Sequence, residues 1–208
     1  QTEGMIQSAE LAYRMQTSMP ELLDYETEAA SVVEAYGLNN SETANFGKKC
    51  LLARRMIERG VRFVEIVHGN WDHHDKLKES ITQTSGETDR PIGALLQDLK
   101  DRDLLEDTLV MWGGEFGRTP QGEGDGRGHN AKGYTTWMAG GGVKGGFRYG
   151  ATDEHGYEAV EGRMHIHDWH ATILHLLGLS HKRLTYRYAG RDFRLTDVHG
   201  NVAEEILA

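Results

Sequence analysis

The chain has 208 residues, 38% of them hydrophobic and 26% charged, which suits a soluble globular protein with one sizeable core. Its formal net charge of -9 disfavours non-specific binding to DNA, RNA or anionic lipid. An acidic chain can still take phosphate or sulfate esters where a metal or a local arginine cluster reverses the field. No apolar run approaches the length of a membrane span, and the single cysteine, Cys50, excludes an internal disulfide. The sequence opens at Gln1 with no signal-peptide pattern, so it reads as a processed or partial chain.

Leu11, Met15, Leu22, Leu23, Val32 and Val33 recur at roughly helical spacing and predict helix over 8–36. Ser18 is a plausible N-cap there, with Pro20 opening a second segment and Gly37 ending it. A further helix is expected from Asn45 to Arg59, with Gly60 at its C-cap. Cys50 shares its apolar stripe with Phe46, Ala53 and Ile57, which predicts a buried, inert thiol.

Val61 to Val67 reads as a strand buried on both faces, as in a parallel sheet. A helix follows over Asp89–Arg102 with Pro91 near its start, then strands Leu109–Trp112 and Tyr134–Ala139. Residues 144–163 look like a hairpin region, and a helix capped by Asp168 runs to Leu177 before Gly178. This alternation predicts a three-layer α/β/α fold with a mostly parallel sheet. Ligands in such sheets bind beyond the carboxyl ends of the strands.

Three segments follow predicted strand ends and carry metal-ligand residue types. In His68-Gly69-Asn70-Trp71-Asp72-His73-His74-Asp75, an extended backbone points Asp72 and His74 the same way and His73 the other. Imidazole and carboxylate are the usual zinc ligands, and carboxylate also suits calcium, magnesium or manganese. In Gly113-Gly114-Glu115-Phe116-Gly117-Arg118-Thr119, Glu115 is placed to ligate a metal and Arg118 to bind an oxyanion through its planar fork. An ordinary Glu–Arg ion pair is the plainer alternative. The third segment, Gly126-Arg127-Gly128-His129-Asn130, offers His129 as a ligand, with Arg127 and Lys132 as positive groups for an ester anion. A fourth group, His165, His167, His170 and His175, is assigned mainly to capping and core duty, with His165 or His167 at a site rim as the alternative. No nucleophile elbow, Walker loop or dinucleotide fingerprint is present.

These motifs, taken in order, resemble the bacterial proteins grouped as domain of unknown function 1501. The resemblance runs from about Asn45 to the end. It rests on Cys50 through Arg55, Gly69 through His74, Trp112 through Pro120, Gly126 to Gly133, Ala139 to Gly146, Tyr149 to Gly156, Asp168 through Leu179, Leu184 through Arg187 and Gly190 through Asp197. It implies kinship with sulfatases and alkaline phosphatases, hence an alkaline phosphatase-like domain of which this chain is the C-terminal part, incomplete at its N-terminal side. On that reading the chain is a single α/β domain over 1–208, with 1–44 a helical lead-in. The resemblance also implies an exported bacterial protein, periplasmic or extracellular, whose nucleophile lies upstream of this chain.

On the pattern of those enzymes, Asp72, His74, Glu115 and His129 would hold a divalent metal, while Arg118 and Arg127 sit beside the substrate anion. Two departures stand out. The family usually has Gly-Arg-Asp-His where this chain has Gly126-Arg127-Gly128-His129, and Trp-Asp-Thr-His where it has Trp71-Asp72-His73-His74. The expected activity is metal-dependent hydrolysis of a sulfate or phosphate ester, from a small molecule or a glycan. The alternative is an exported metal- or glycan-binding module of the same fold without catalysis.

Overall fold

A computed structural model describes residues 2–208, apart from the side chains of Thr2, Ser8, Leu11, Arg14, Met15, Thr17 and Ser18. The expectations resting on Gln1, and on the side chains of Leu11, Met15 and Ser18, lie outside the described residues. Two compact units emerge: residues up to Trp71 with Ile81–Leu99, and Asp72–Ser80 with Lys100–Ala208.

The first unit is helical. Helix α1 covers Thr2–Leu23 and continues through Pro20, so the expected break at that proline does not occur. The chain turns instead at Asp24, whose side chain accepts the Glu26 N–H and caps a short 3-10 turn, Tyr25–Thr27. Helix α2 (Ala30–Ala35) is followed by Gly37 at φ +68°, and α3 (Ala44–Glu58) by Gly60 at φ +80°; both glycines hold the left-handed conformation expected of helix stops. Helix α4, Leu77–Asp101, begins a full three turns before the predicted start and keeps Pro91 inside it. The unit's core gathers Tyr36, Phe46, Cys50, Leu51, Leu95 and Leu99. Burial in this core pushes the Cys50 thiol up to about 12, so it stays protonated, as its stripe position predicted.

The same core surrounds a charged knot. Arg54 places Nη2 2.8 Å from Glu28, Nη1 2.7 Å from Glu58 and Nε 2.9 Å from Asp98. The Tyr36 hydroxyl donates to Asp98 at 3.0 Å, and Arg55 reaches Glu28 at 2.6 Å. Burial works against the Arg54 charge, and the carboxylates around it outweigh that and raise its pKa.

The second unit carries the strands. Val110–Trp112 (β1) pairs with Trp137–Ala139 (β4), and Gly117–Glu123 (β2) with Gly126–Asn130 (β3). Ala151–Thr152 (β5) pairs with Ala159–Glu161 (β6), and Thr185–Tyr188 (β7) with Arg191–Arg194 (β8). Helix α5, Ile166–Leu176, packs Ala171, Thr172 and Leu174 inward, and Gly178 follows it at φ +73°. A 3-10 turn, Glu204–Ile206, buries Ile206. The cap of α5 is His165 rather than Asp168. Asp168 is the third helical residue and returns its carboxylate to the His165 N–H, completing a capping box.

The expected three-layer, mostly parallel, alkaline phosphatase-like sheet is overturned. Every strand pair among the described residues is antiparallel, in four separate two-stranded ribbons. Val61–Val67 forms no strand, and Phe63 and Val67 are 76% and 67% exposed. Its β-branched composition favours extended backbone, but an apolar run does not specify a pairing partner. The strands predicted at 109–112 and 134–139 survive in shortened form, paired with each other. The hairpin region at 144–163 is realised by β5 and β6. No helix among the described residues is long and apolar enough to cross a membrane.

Candidate metal centre

A β-hairpin in the second unit organises the site. Glu123 and Gly126 pair across a two-residue turn, with Gly124 at φ +60° in the first turn position. The same register sets Arg118 directly opposite His129. The stretch before α4 is tied to this hairpin by its backbone: the Arg127 N–H donates to the His73 carbonyl at 2.9 Å, and the Leu77 N–H to the Asp125 carbonyl at 3.2 Å. Gly126 makes this approach possible, since a Cβ there would lie 1.9 Å from the His74 carbonyl oxygen. His73 turns inward and is buried, while Asp72 and His74 face the hairpin together, as their alternation predicts.

Three ligand atoms converge. Asp72 Oδ1 lies 3.1 Å from His74 Nε2 and 3.3 Å from His129 Nε2, and the two imidazole nitrogens are 3.1 Å apart. These are the three residues whose donor atoms cluster tightly enough among the described residues to hold one ion. The edges fit a small tetrahedral ion: bonds of about 2.0–2.1 Å to zinc imply ligand-to-ligand distances of about 3.3 Å. Two imidazoles and one carboxylate suit zinc or a similar transition ion better than calcium or magnesium, which favour oxygen shells.

Arg118 closes the cluster. Its Nη2 donates to Asp72 Oδ1 at 2.6 Å, and its Nη1 lies 3.4 Å from His74 Nε2. The Arg118 hydrogen bond, ahead of those from the histidines, holds the Asp72 carboxyl below the ordinary carboxylate range. Two neighbours of the cluster carried no signal in the sequence reading. Phe116 sits against the His129 ring with centroids 4.9 Å apart. Glu123 brings a carboxylate oxygen to 4.0 Å from His74 Nδ1, the ring nitrogen facing away from the cluster. That oxygen is only 2.6 Å from where a Cβ on residue 128 would stand, so Glu123 uses the space that Gly128 leaves empty. The Gly122-Glu123-Gly124-Asp125-Gly126 run is a hairpin-turn signal that could have revealed both the register and this contact.

The other expected site residues stand apart. Glu115 lies exposed in the bend between β1 and β2 and is not one of the converging side chains. The Arg127 Nη1 lies against Gly122, 3.5 Å from where its Cβ would be, and no hydrogen bond or ion pair among the described residues joins it to the cluster. Lys132 pairs with Glu158 at 2.9 Å.

Fold and site together define a mixed α/β protein of short antiparallel ribbons, carrying an exposed Asp–His–His cluster with ligand-like geometry. The chain belongs to the family described as protein of unknown function (DUF1501), which it matches over residues 1–207. That match takes in the helical segment before Asn45 as well as the motif-rich remainder. No curated protein and no solved structure matches the chain.

Proposed function

We propose that Asp72, His74 and His129 bind one zinc-like divalent ion, and that the centre hydrolyses a phosphate or sulfate ester. The observation that carries this reading is the set of three 3.1–3.3 Å edges among one carboxylate oxygen and two imidazole nitrogens. A set of three protein ligands is the pattern of catalytic rather than structural zinc sites. When bound, such an ion supplies Lewis acidity toward an ester oxygen.

The chain's own residues divide the remaining work. Glu123, with a carboxylate oxygen 4.0 Å from His74 Nδ1, favours the proton on that nitrogen and so leaves the Nε2 lone pair toward the cluster. Phe116 packs against the His129 ring and limits its rotation. Arg118 donates to Asp72 Oδ1 at 2.6 Å. With an ion sharing that carboxylate, the Arg118 fork would be available to the non-bridging oxygens of the ester, where bidentate donors hold developing charge. With Arg127 and Glu115 away from the cluster, that anion-holding role falls to Arg118.

Metal analysis after loading with zinc or manganese and desalting tests the centre. One equivalent per chain is expected. His129→Ala should weaken binding beyond the roughly 10–100-fold typical of losing an outer partner. Glu123→Gln should fall within that range. Equal metal content in wild type and His129→Ala would remove the centre. Phenyl phosphate and phenyl sulfate turnover, lost in Arg118→Ala with metal content retained, supports hydrolysis. Stoichiometric metal without turnover would leave binding as the function.

A further inference from the structure

A second polar site lies in the same unit, built from the start of α5 and the turns on either side of the β7–β8 ribbon. His165, Lys182, Arg194 and His199 line one open cleft of about 550 Å³ together with Asp168 and Val198. That volume falls within the range of about 300–1,000 Å³ usual for small-molecule sites.

The charges in the cleft are unbalanced in a chain that is otherwise acidic. Lys182 and Arg194 form no ion pair or side-chain hydrogen bond with any described residue, whereas Arg187 and Arg191 on the same ribbon are paired with Asp192 and Asp197. The one carboxylate present is already engaged. Asp168 Oδ2 accepts the His165 N–H at 2.9 Å, and Oδ1 accepts the Asn201 N–H at 2.7 Å and its Nδ2 at 3.1 Å. His165 accepts the His167 N–H on Nδ1 at 3.2 Å, which places its proton on Nε2 as a free donor. His199 is held in position by stacking on His167, with centroids 5.6 Å apart and planes at 13°. A neighbour registers the field: the His181 pKa is lowered, first by burial and then by Lys182 and Arg194.

Gly200 keeps the cleft in shape. It holds φ +99°, and a Cβ there would press on Thr196, on the His167 carbonyl and on His181. Two cations without carboxylate partners and two imidazoles lining one open cleft supply the charge and donors that oxyanion recognition needs. We propose that this cleft binds a tetrahedral oxyanion, with Arg194 and Lys182 as its charge partners and His165 Nε2 and His199 as further donors. The space beyond the anion admits the organic part of an ester. This site shares no residue with the Asp72–His74–His129 centre and stands whether or not that centre holds metal.

Titration of the full chain with inorganic phosphate, with chelator present, tests the proposal by following histidine ring signals in NMR spectra. Saturable shifts are expected at His165 and His199, with His74 and His129 unmoved. Arg194→Gln and Lys182→Gln should each weaken binding at least fivefold, while Arg148→Gln, exposed and lining neither site, leaves it unchanged. Circular dichroism checks that Arg194→Gln is folded; should it fail, Lys182→Gln, at an exposed position, carries the same comparison. Phenyl phosphate as a second probe separates the sources: fivefold tighter binding than phosphate assigns the cleft to an ester, and equal binding assigns it to the free ion. Overlapping curves for wild type and both glutamine variants would overturn the proposal. So would shifts confined to His74 and His129.

Discussion

Arg54 is the residue on which the helical unit is most exposed to a single change. Its side chain is 3% exposed and touches three carboxylates within 2.9 Å. Desolvating such a group is costly, and the surrounding charges repay that cost only while all partners are present. Removing the cation leaves Glu28, Glu58 and Asp98 facing one another with Arg55 as the remaining positive neighbour. Arg54→Met, which keeps the volume, is expected to destabilise by about 3–5 kcal/mol, the usual cost of stranding a buried charge. Urea unfolding followed by circular dichroism checks this. Arg54→Lys should recover only part of the loss, because one ammonium cannot reach three carboxylates with fixed geometry. A loss below about 1 kcal/mol would show that the knot is no more than a solvated ion cluster.

Among the elements, α5 shows how a local signal and its long-range use differ. The sequence pairs Asp168 with a helix start, and the structure keeps the start while moving the cap to His165. Asp168 also reaches forward to Asn201, a contact 33 residues away that no local pattern encodes. Burial alone would raise the Asp168 carboxyl, and the hydrogen bonds from His165 and Asn201 outweigh it, so the folded pKa is lowered. Asp168→Ala should therefore cost about 1–2 kcal/mol at neutral pH. A lowered folded pKa makes this contribution complete above the unfolded value of about 3.9 and lost as pH falls through the folded value. The stability difference between wild type and variant should be flat from pH 8 to about 5 and shrink below about 4. A difference that persists unchanged into strong acid would mean that the carboxylate charge plays no part.

The same contrast explains what was legible in the helices and ribbons. Helix ends at Gly37, Gly60 and Gly178 were readable because a left-handed stop is a property of one residue. The Asp72/His74 alternation was readable because backbone period fixes it over three residues. Val61–Val67 was misread because its apolar run would look the same with or without a neighbouring strand. His129 stands out in the sequence as a candidate ligand, but its opposition to Arg118 depends on hairpin register. Glu115 was drawn in by its position after a strand, and a bend between β1 and β2 leaves it outside the cluster.

At the scale of the whole molecule, the centre ties distant parts of the chain in the folded state alone. His74 and His129 are 55 residues apart, and Asp72 and His129 are 57 apart. In the unfolded chain these side chains are separated, so an ion bound as proposed would shift the equilibrium toward the native state. At a free zinc concentration one hundred times the dissociation constant, the expected gain is about 2.7 kcal/mol. With a net charge of -9, the molecule also draws cations diffusely to its surface, so a rise in thermal midpoint is not by itself proof of this centre. The discriminating comparison is concentration dependence across variants. Wild type should gain stability along a saturable curve, Glu123→Gln along the same curve displaced to roughly tenfold higher zinc, and His129→Ala should gain almost nothing. Their metal-free midpoints should stay close together, because Glu123 and His129 are 69% and 50% exposed and contribute little to packing. A zinc-dependent rise of equal size in His129→Ala would place the ion on the acidic surface and detach it from the hairpin.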